Sequence, residues 1–594
     1  MRMKMILIAS VLFSLFLLSK VKASDCTDYI TDCGSYSDVH DKVYCLINNI
    51  STTGQCLYFD STSNITVDCN YNGTMRHSIT GSNTDFGVVF ASSAGSKIQN
   101  CDIFNFSIGV ELGSGVDDIT LYNNYIDTSF IVDGKPFESF SCPSIDIQNN
   151  TLLGYITYAT CDFISGRANI SNNIVSGEII LVGCYDSGIE NNRISRFDKT
   201  GNGVHGVSGD IVVYLSNNTF VNNNTITDAE GILIQGSNYT TLRNNTVTNA
   251  SGFYFYVDNW LSPTSPLNWD IDIDDSNLFG GMTVYYAKGL SDVVLDGLQN
   301  KSVYCVDCSN VTIKNINGDA KTVGLLGSTG TIQNVNVSNI VLADGVYTVK
   351  DSIINDIGNA GLDMNNITNS NISNITMNGF QSYVQGVWLV RSSNNNISDI
   401  SINGDPEYIR APSYGVYLVF SPNNLMTNFD VSNTGIGARL GTNSNNNILS
   451  DFRIKNSNNP DVGYGLWLWN VNNTTFKDSI IENSSRNTMY LRGNYINHIY
   501  NNLFNNTVGF NSYGTVSSNE FNTTQQTGER IYGFGDEIGG NYYTNPSGTG
   551  YSDTCTDSDQ NGFCDDTYTV VDSVYDYLPL SNQHSVEYTV IEEN

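Results

Sequence analysis

Oxygen donors crowd one short stretch near the end of this 594-residue chain: Asp557-Ser558-Asp559-Gln560-Asn561-Gly562-Phe563-Cys564-Asp565-Asp566. Side-chain oxygens at alternate positions, with a glycine at the sixth for the sharp turn, are what a hard cation such as Ca²⁺ requires. Asp557, Asp559, Asn561 and Asp565 would supply side chains and Phe563 its carbonyl. The twelfth position is Tyr568 rather than Glu, a departure from an EF-hand. A Cys555–Cys564 bridge would pre-fold the loop. The expectation is a structural Ca²⁺, with a solvated acidic turn as the alternative.

A second constellation is a column. Five segments align on a common pattern: Gly386-Val387-Trp388-Leu389-Val390, Gly415-Val416-Tyr417-Leu418-Val419, Gly437-Ala438-Arg439-Leu440-Gly441, Gly465-Leu466-Trp467-Leu468-Trp469 and Thr488-Met489-Tyr490-Leu491-Arg492. Strand alternation sends Val387, Val416, Ala438, Leu466 and Met489 inward, with the leucines two residues later. Trp388, Tyr417, Arg439, Trp467 and Tyr490 then share the outer face, one per strand, at a spacing of about 4.8 Å. Exposed aromatics in line suit stacking on sugar rings. Packing under a loop or against another subunit is the competing reading, since aromatics also favour strands.

Two further sets are weaker. Asn83-Thr84-Asp85, Asp117-Asp118, His205-Gly206 and Arg453-Ile454-Lys455 look like pieces of a polygalacturonase-type hydrolase. Those groups would have to meet on one substrate, and the first and last are separated by some seventeen coils, about 80 Å, of the architecture argued below. They form no site. Asp270, Asp272 and Asp274 share one face of an alternating strand, as a carboxylate pair or a Ca²⁺ ligand set would, and as an ordinary solvated strand also does. An enzyme on this platform would be a polysaccharide lyase or glycoside hydrolase using Arg439 or Arg492, with Asp363 nearby.

The elements that must carry these residues are short and repeated. A small apolar strand, then Asn, then another strand recurs at Lys97-Ile98-Gln99-Asn100, Gly188-Ile189-Glu190-Asn191-Asn192, Thr241-Leu242-Arg243-Asn244-Asn245, Gly330-Thr331-Ile332-Gln333-Asn334, Asn371-Ile372-Ser373-Asn374 and Asn447-Ile448-Leu449-Ser450. The anchors fall about 19 to 28 residues apart, a solenoid period too short for propeller blades. Such strands bury their apolar positions by coiling into a parallel β-helix, and Asn at the corners tolerates the left-handed conformation a tight turn needs. The fold class is therefore all-β, a right-handed parallel β-helix of about twenty coils. The chain divides into a signal peptide (1–23), a Cys-rich N-terminal cap (24–56), the β-helix (57–525, with 252–290 as a protruding loop) and a C-terminal acidic segment (526–594).

The first residues set the compartment: Arg2 and Lys4, an apolar run from Met5 to Leu18, then Val21-Lys22-Ala23 before Ser24, read as a secretory signal. No second apolar run follows, so no membrane span is expected after cleavage. The 13 cysteines then read as disulfides, with one left over, and Cys305-x-x-Cys308 as a disulfide or packed thiols. Asn-x-Ser/Thr sequons occur about two dozen times, as at Asn238, Asn310, Asn371, Asn374 and Asn472, so a glycoprotein is expected. Lys+Arg 27 against Asp+Glu 59 gives a net charge of −32, which argues against a nucleic-acid partner.

The run Asp270 to Ile316, with Asp274-Asp275-Ser276-Asn277, Val284-Tyr285-Tyr286 and Cys308-Ser309-Asn310-Val311-Thr312, resembles the NosD-type family of right-handed β-helix proteins. The end, from Gly540-Asn541-Tyr542-Tyr543 through Asp557–Asp566 to Tyr577-Leu578-Pro579-Leu580, is similar to that family's closing motif, and the N-terminal Cys-and-Asn pattern resembles archaeal-type β-helix surface proteins. The resemblance implies a β-helix with an extracytoplasmic address. The family's namesake role, copper delivery for nitrous oxide reductase, is carried by no motif in this chain, which has five His and nine Met. The expectation is a secreted or cell-surface scaffold that binds a polysaccharide or cell-surface glycan along the aromatic column without catalysis.

Overall fold

The computed structural model describes residues 26–582 except 71–72, 74, 129–134, 143, 162–165, 196–210, 229–230, 250–254, 259–269, 318–321, 358–359, 381–383, 406–412, 494–495, 517 and 534. The expected signal peptide thus lies outside the described residues. The chain forms two compact units, Met1–Gly281 and Met282–Asn594, and each sheet of the ladders lies within one unit. The boundary falls inside 252–290, the stretch expected to interrupt the 57–525 β-helix.

Each unit is a parallel β-helix. The first carries an 11-stranded sheet that runs from Asp28–Ile30 to Ile271–Ile273, flanked by an 18-stranded one. The second carries an 11-stranded sheet from Thr283–Lys288 to Phe510–Tyr513 and a 14-stranded one that ends at Tyr542–Thr544. Many rungs repeat one alternation, as in Lys97-Ile98-Gln99, where Ile98 is fully buried between two partly exposed polar residues. Like therefore stacks on like: Val67, Ile98, Leu121 and Ile147 follow one another in register and none is exposed. This stack of aliphatic rungs is the core, and its burial drives coiling.

Asparagine does two separate jobs at the corners. In the pairs Asn123-Asn124, Asn149-Asn150, Asn172-Asn173, Asn191-Asn192, Asn223-Asn224 and Asn244-Asn245, the first residue has φ between 53° and 58° and makes the turn. The second points inward and is at most 2% exposed. From Asn150 onward each inward amide oxygen accepts from the backbone N–H and side-chain NH₂ of the asparagine one coil earlier, for example Asn192 to Asn224 at 3.0 and 3.0 Å and Asn224 to Asn245 at 3.1 and 3.0 Å. The same NH₂ also donates to a backbone carbonyl, as Asn224 does to Ile189 at 2.7 Å. The ladder runs through Asn245 to Asn277, which ends it on Asp274. A buried polar residue is tolerable only when its groups are matched, and here each is matched by its own repeat.

The two ends are built from rungs rather than separate caps. Within 24–56, Asp28–Ile30 pairs with Val43–Leu46 and Gly34–Ser37 with Leu57–Asp60, and Cys26–Cys45 and Cys33–Cys56 disulfides tie successive rungs. Disulfides also join Cys69–Cys101, Cys161–Cys184, Cys305–Cys308 and Cys555–Cys564, which leaves Cys142 as the odd cysteine. Within 252–290, Phe255–Asp258, Ile271–Ile273 and Thr283–Lys288 are ladder strands and not a protrusion; 259–269 lie outside the described residues. In 526–594, Tyr542–Thr544 adds a rung, and an antiparallel hairpin, Tyr568–Val571 with Val574–Asp576, follows it.

Candidate functional site

The second unit's 11-stranded sheet brings the predicted column together. Trp388 pairs in register with Tyr417, Tyr417 with Arg439, Arg439 with Trp467 and Trp467 with Tyr490. Behind them Val387, Val416, Ala438, Leu466 and Met489 are fully buried. Glycine opens several of these strands because the coil above leaves no room: a Cβ at Gly437 would run into Ile454 and the carbonyl oxygen of Gly465. The local sequence thus fixes both the inward fill and the outward column.

The column is not a row of fully exposed rings. Trp388, Tyr417, Trp467 and Tyr490 are half-buried, and Arg439 is 9% exposed. The Arg439 guanidinium carbon lies 4.8 Å from the Tyr417 ring centre on one side and 4.1 Å from Trp467 on the other, with Tyr414 at 5.6 Å and Trp469 at 4.9 Å. Tyr414 stacks on Tyr417 and Trp467 on Trp469, so two ring pairs flank the cation. The expectation of a flat exposed platform fails because outward rings on neighbouring rungs lie close enough to fold onto the arginine between them, where cation–π attraction holds them.

The electrostatics of this cluster are one-sided. Arg439 donates from Nη1 to the Tyr414 hydroxyl at 3.1 Å. Its Nε and the indole N–H groups of Trp388 and Trp467 are buried and have no acceptor among the described residues. Arg486 lies over Tyr464, and Arg492 lies over Trp469 and Tyr513. None of these three arginines forms an ion pair among the described residues, whereas Arg76–Asp102, Lys314–Asp296 and Lys455–Asp430 match cation to carboxylate across rungs elsewhere. Burial pushes the phenols of Tyr417 and Tyr464 up, with Arg439 and Arg486 respectively pulling them back.

The residues weighed for catalysis do not converge. Asp363 belongs to the same column, paired with Trp388, but stands three rungs from Arg439, about 14 Å at the usual strand spacing. Arg492 is on the neighbouring column through Trp469. Of the Asp270–Asp275 carboxylates, Asp272 and Asp274 both pair with Arg243, and Asp274 closes the asparagine ladder. Tyr414, Tyr464 and Arg486 escaped the sequence reading, although Tyr414-Gly415-Val416-Tyr417-Leu418-Val419 and Tyr464-Gly465-Leu466-Trp467-Leu468-Trp469 repeat one hexapeptide whose first residue is the missed ring.

In the C-terminal loop, Asp557, Asp559 and Asp565 each offer an oxygen within 4.8 Å of the others, a donor set suited to a hard cation. Asn561 is turned differently from the expectation: its Oδ1 accepts from the Phe563 N–H at 2.8 Å and its NH₂ donates to Asp559. Hydrogen bonds from the Ser558 hydroxyl and amide hold Asp565 below the usual carboxylate range. Buried Arg530 grips the loop from behind, donating to the carbonyls of Gly562 at 2.7 Å and Asn561 at 3.1 Å.

No helix among the described residues is long and apolar enough to cross a membrane. Six disulfides fit an oxidising, extracytoplasmic compartment. Comparison with solved structures finds the PL6 family alginate lyase AlyGC (12% identity, 83% of this chain and 97% of that chain, TM-score 0.23) and the periplasmic alginate epimerase AlgG (10% identity, 64% and 76%, TM-score 0.21). No curated protein matches the chain significantly. Residues 346–548 match the family described as periplasmic copper-binding protein (NosD), and residues 138–268 match the right handed beta helix region. The fold is that of a right-handed parallel β-helix protein, and the stretch that carries the whole column is similar to the NosD family.

Proposed function

We propose that this protein is a secreted or cell-surface scaffold that binds glycans, without cleaving them, along the column Trp388, Tyr417, Arg439, Trp467 and Tyr490. The observation that carries the reading is a buried guanidinium boxed by half-buried rings, with three N–H donors unmatched and no ion pair to Arg439 among the described residues. A sugar supplies faces for the half-buried rings, and one that bears carboxylate or sulfate also pairs with the more accessible Arg486 and Arg492 beside the buried Arg439. Non-catalytic binding is favoured over a lyase or hydrolase because Asp363 and Arg439 stand too far apart to act on one bond.

The test pairs retention with cleavage. Acidic and neutral polysaccharides are immobilised, and retention of the wild type is compared with Trp467→Ala and Arg439→Met while released chain ends are followed over time. Retention on an acidic polysaccharide, weakened about tenfold by either variant and without new ends, supports the reading. New ends abolished by Arg439→Met would make it an enzyme. Retention untouched by both variants would remove the column from function.

We further propose that Asp557, Asp559 and Asp565 hold a structural Ca²⁺ beneath the Cys555–Cys564 bridge. Copper is the less supported metal, since twelve of the cysteines are bound in disulfides and offer no thiolate.

A further inference from the structure

The closing rungs of the second unit leave a groove of about 810 Å³, within the size range of small-ligand sites. Its floor is the strand His498–Tyr500, whose Ile499 faces the core while His498 and Tyr500 face out. One wall is the next rung, where Glu520 sits beside His498 and Asn522 follows. The other wall is the end of the C-terminal hairpin, which contributes Tyr575 and Tyr577. The Tyr577 N–H donates to Asn522 Oδ1 at 3.2 Å, so the two walls are joined at the base.

The lining has a definite chemical character. His498 Nδ1 and Glu520 Oε2 are 2.8 Å apart, which leaves the second ring nitrogen and the second carboxylate oxygen for another group. The hydroxyls of Tyr500, Tyr575 and Tyr577 have no hydrogen-bond partner among the described residues. Tyr577 is 62% exposed and its ring stands 6.0 Å from that of Tyr575, presenting apolar ring area beside polar tips. No lysine or arginine lines the groove.

We propose that this groove is a second carbohydrate site, for a neutral saccharide. Tyrosine rings meet the C–H face of a pyranose, and hydroxyls bonding to His498, Glu520 and Asn522 fix its orientation. A ligand carboxylate or sulfate finds no cation here and meets Glu520, so the groove selects against the acidic sugars that the arginine-bearing column favours. The site stands whether or not the column binds glycan, because no lining residue belongs to the column.

The experiment titrates the full-length chain with cellotetraose, mannotetraose and N-acetylchitotetraose, followed by calorimetry. At least one is expected to bind, with affinity reduced about tenfold in Tyr577→Ala and in Glu520→Gln and unchanged in Arg439→Met. Circular dichroism and a denaturation curve show that the variants remain folded; Tyr577 is exposed enough for its loss to leave the core intact. Absence of binding to all three refutes the proposal. So does binding that survives both groove variants, or that disappears only in Arg439→Met.

Discussion

Asp576 closes the second unit's last asparagine step, and its carboxyl is completely buried. Its Oδ2 accepts from the Asn541 N–H at 2.8 Å and the Tyr543 hydroxyl at 2.9 Å, and its Oδ1 from the Leu578 N–H at 3.0 Å. Asn541 in turn receives the Asn502 N–H and NH₂, so the carboxyl terminates a ladder. Burial outweighs these hydrogen bonds and pushes the carboxyl up from 3.8 to about 7. Between those values the folded chain holds a proton that the unfolded chain has lost. The stabilising term is therefore complete below pH 3.8 and fades as pH rises through about 7. A shift of about three units corresponds to about 4 kcal/mol. Asp576→Asn removes the titration and also one acceptor oxygen, a pH-independent cost of about 1–3 kcal/mol. The assay is hydrogen exchange at the Asn541 and Tyr543 amides, wild type against Asp576→Asn, from pH 4 to pH 8. After correction for intrinsic exchange, the wild type's advantage in opening free energy should shrink from pH 4, reverse between about pH 4.5 and about pH 6, and level off above about pH 7. A constant difference would refute the argument, since it would mean that no proton is taken up on folding.

Three further outcomes are expected. Asn224→Ala leaves the Asn192 N–H and NH₂ without their acceptor and should cost about 1–3 kcal/mol per unmatched group by urea denaturation, whereas its turn-making neighbour Asn223→Gly should change stability by only a few tenths. Chelation should lower the melting temperature of the wild type but not of Asp557→Asn; Gly562→Ala should weaken calcium binding more than tenfold, because Gly562 has φ +87° and a Cβ there would meet the Arg530 guanidinium. Unfolded under non-reducing conditions, the chain should show one titratable thiol, absent in Cys142→Ser; two or more would contradict the six-disulfide pattern.

The period and the alternation were legible because they are local. Val387, Val416, Ala438, Leu466 and Met489 could be assigned inward from two-residue periodicity alone, and the register of the outward column followed from aligning their strands. The Asn-Asn pairs were visible as corners, but not their division of labour. Both members are the same residue, and only the coil above decides which amide finds a ladder to join. The collapse of Tyr417 and Trp467 onto Arg439 was likewise hidden, since strand alternation gives the direction of a side chain and not the rotamer it adopts beside its neighbours. The His498–Tyr577 groove lay furthest from view, because it joins a strand to a hairpin that follows long after it in sequence.

A solenoid also explains why a site of this kind concentrates on one column. Each strand contributes one outward residue per position, and rungs stay in register although the stretches between them differ in length, because corner loops absorb the difference. Trp388 and Tyr417 are 29 positions apart and Tyr417 and Arg439 are 22, yet both pairs are in register. A ring or an arginine added at one position therefore lands beside its counterpart on the next rung. The near-duplicate hexapeptides at 414–419 and 464–469 show the consequence: two Tyr-Gly-x-aromatic strands bracket the single rung that carries Arg439, and together they make the box that neither makes alone.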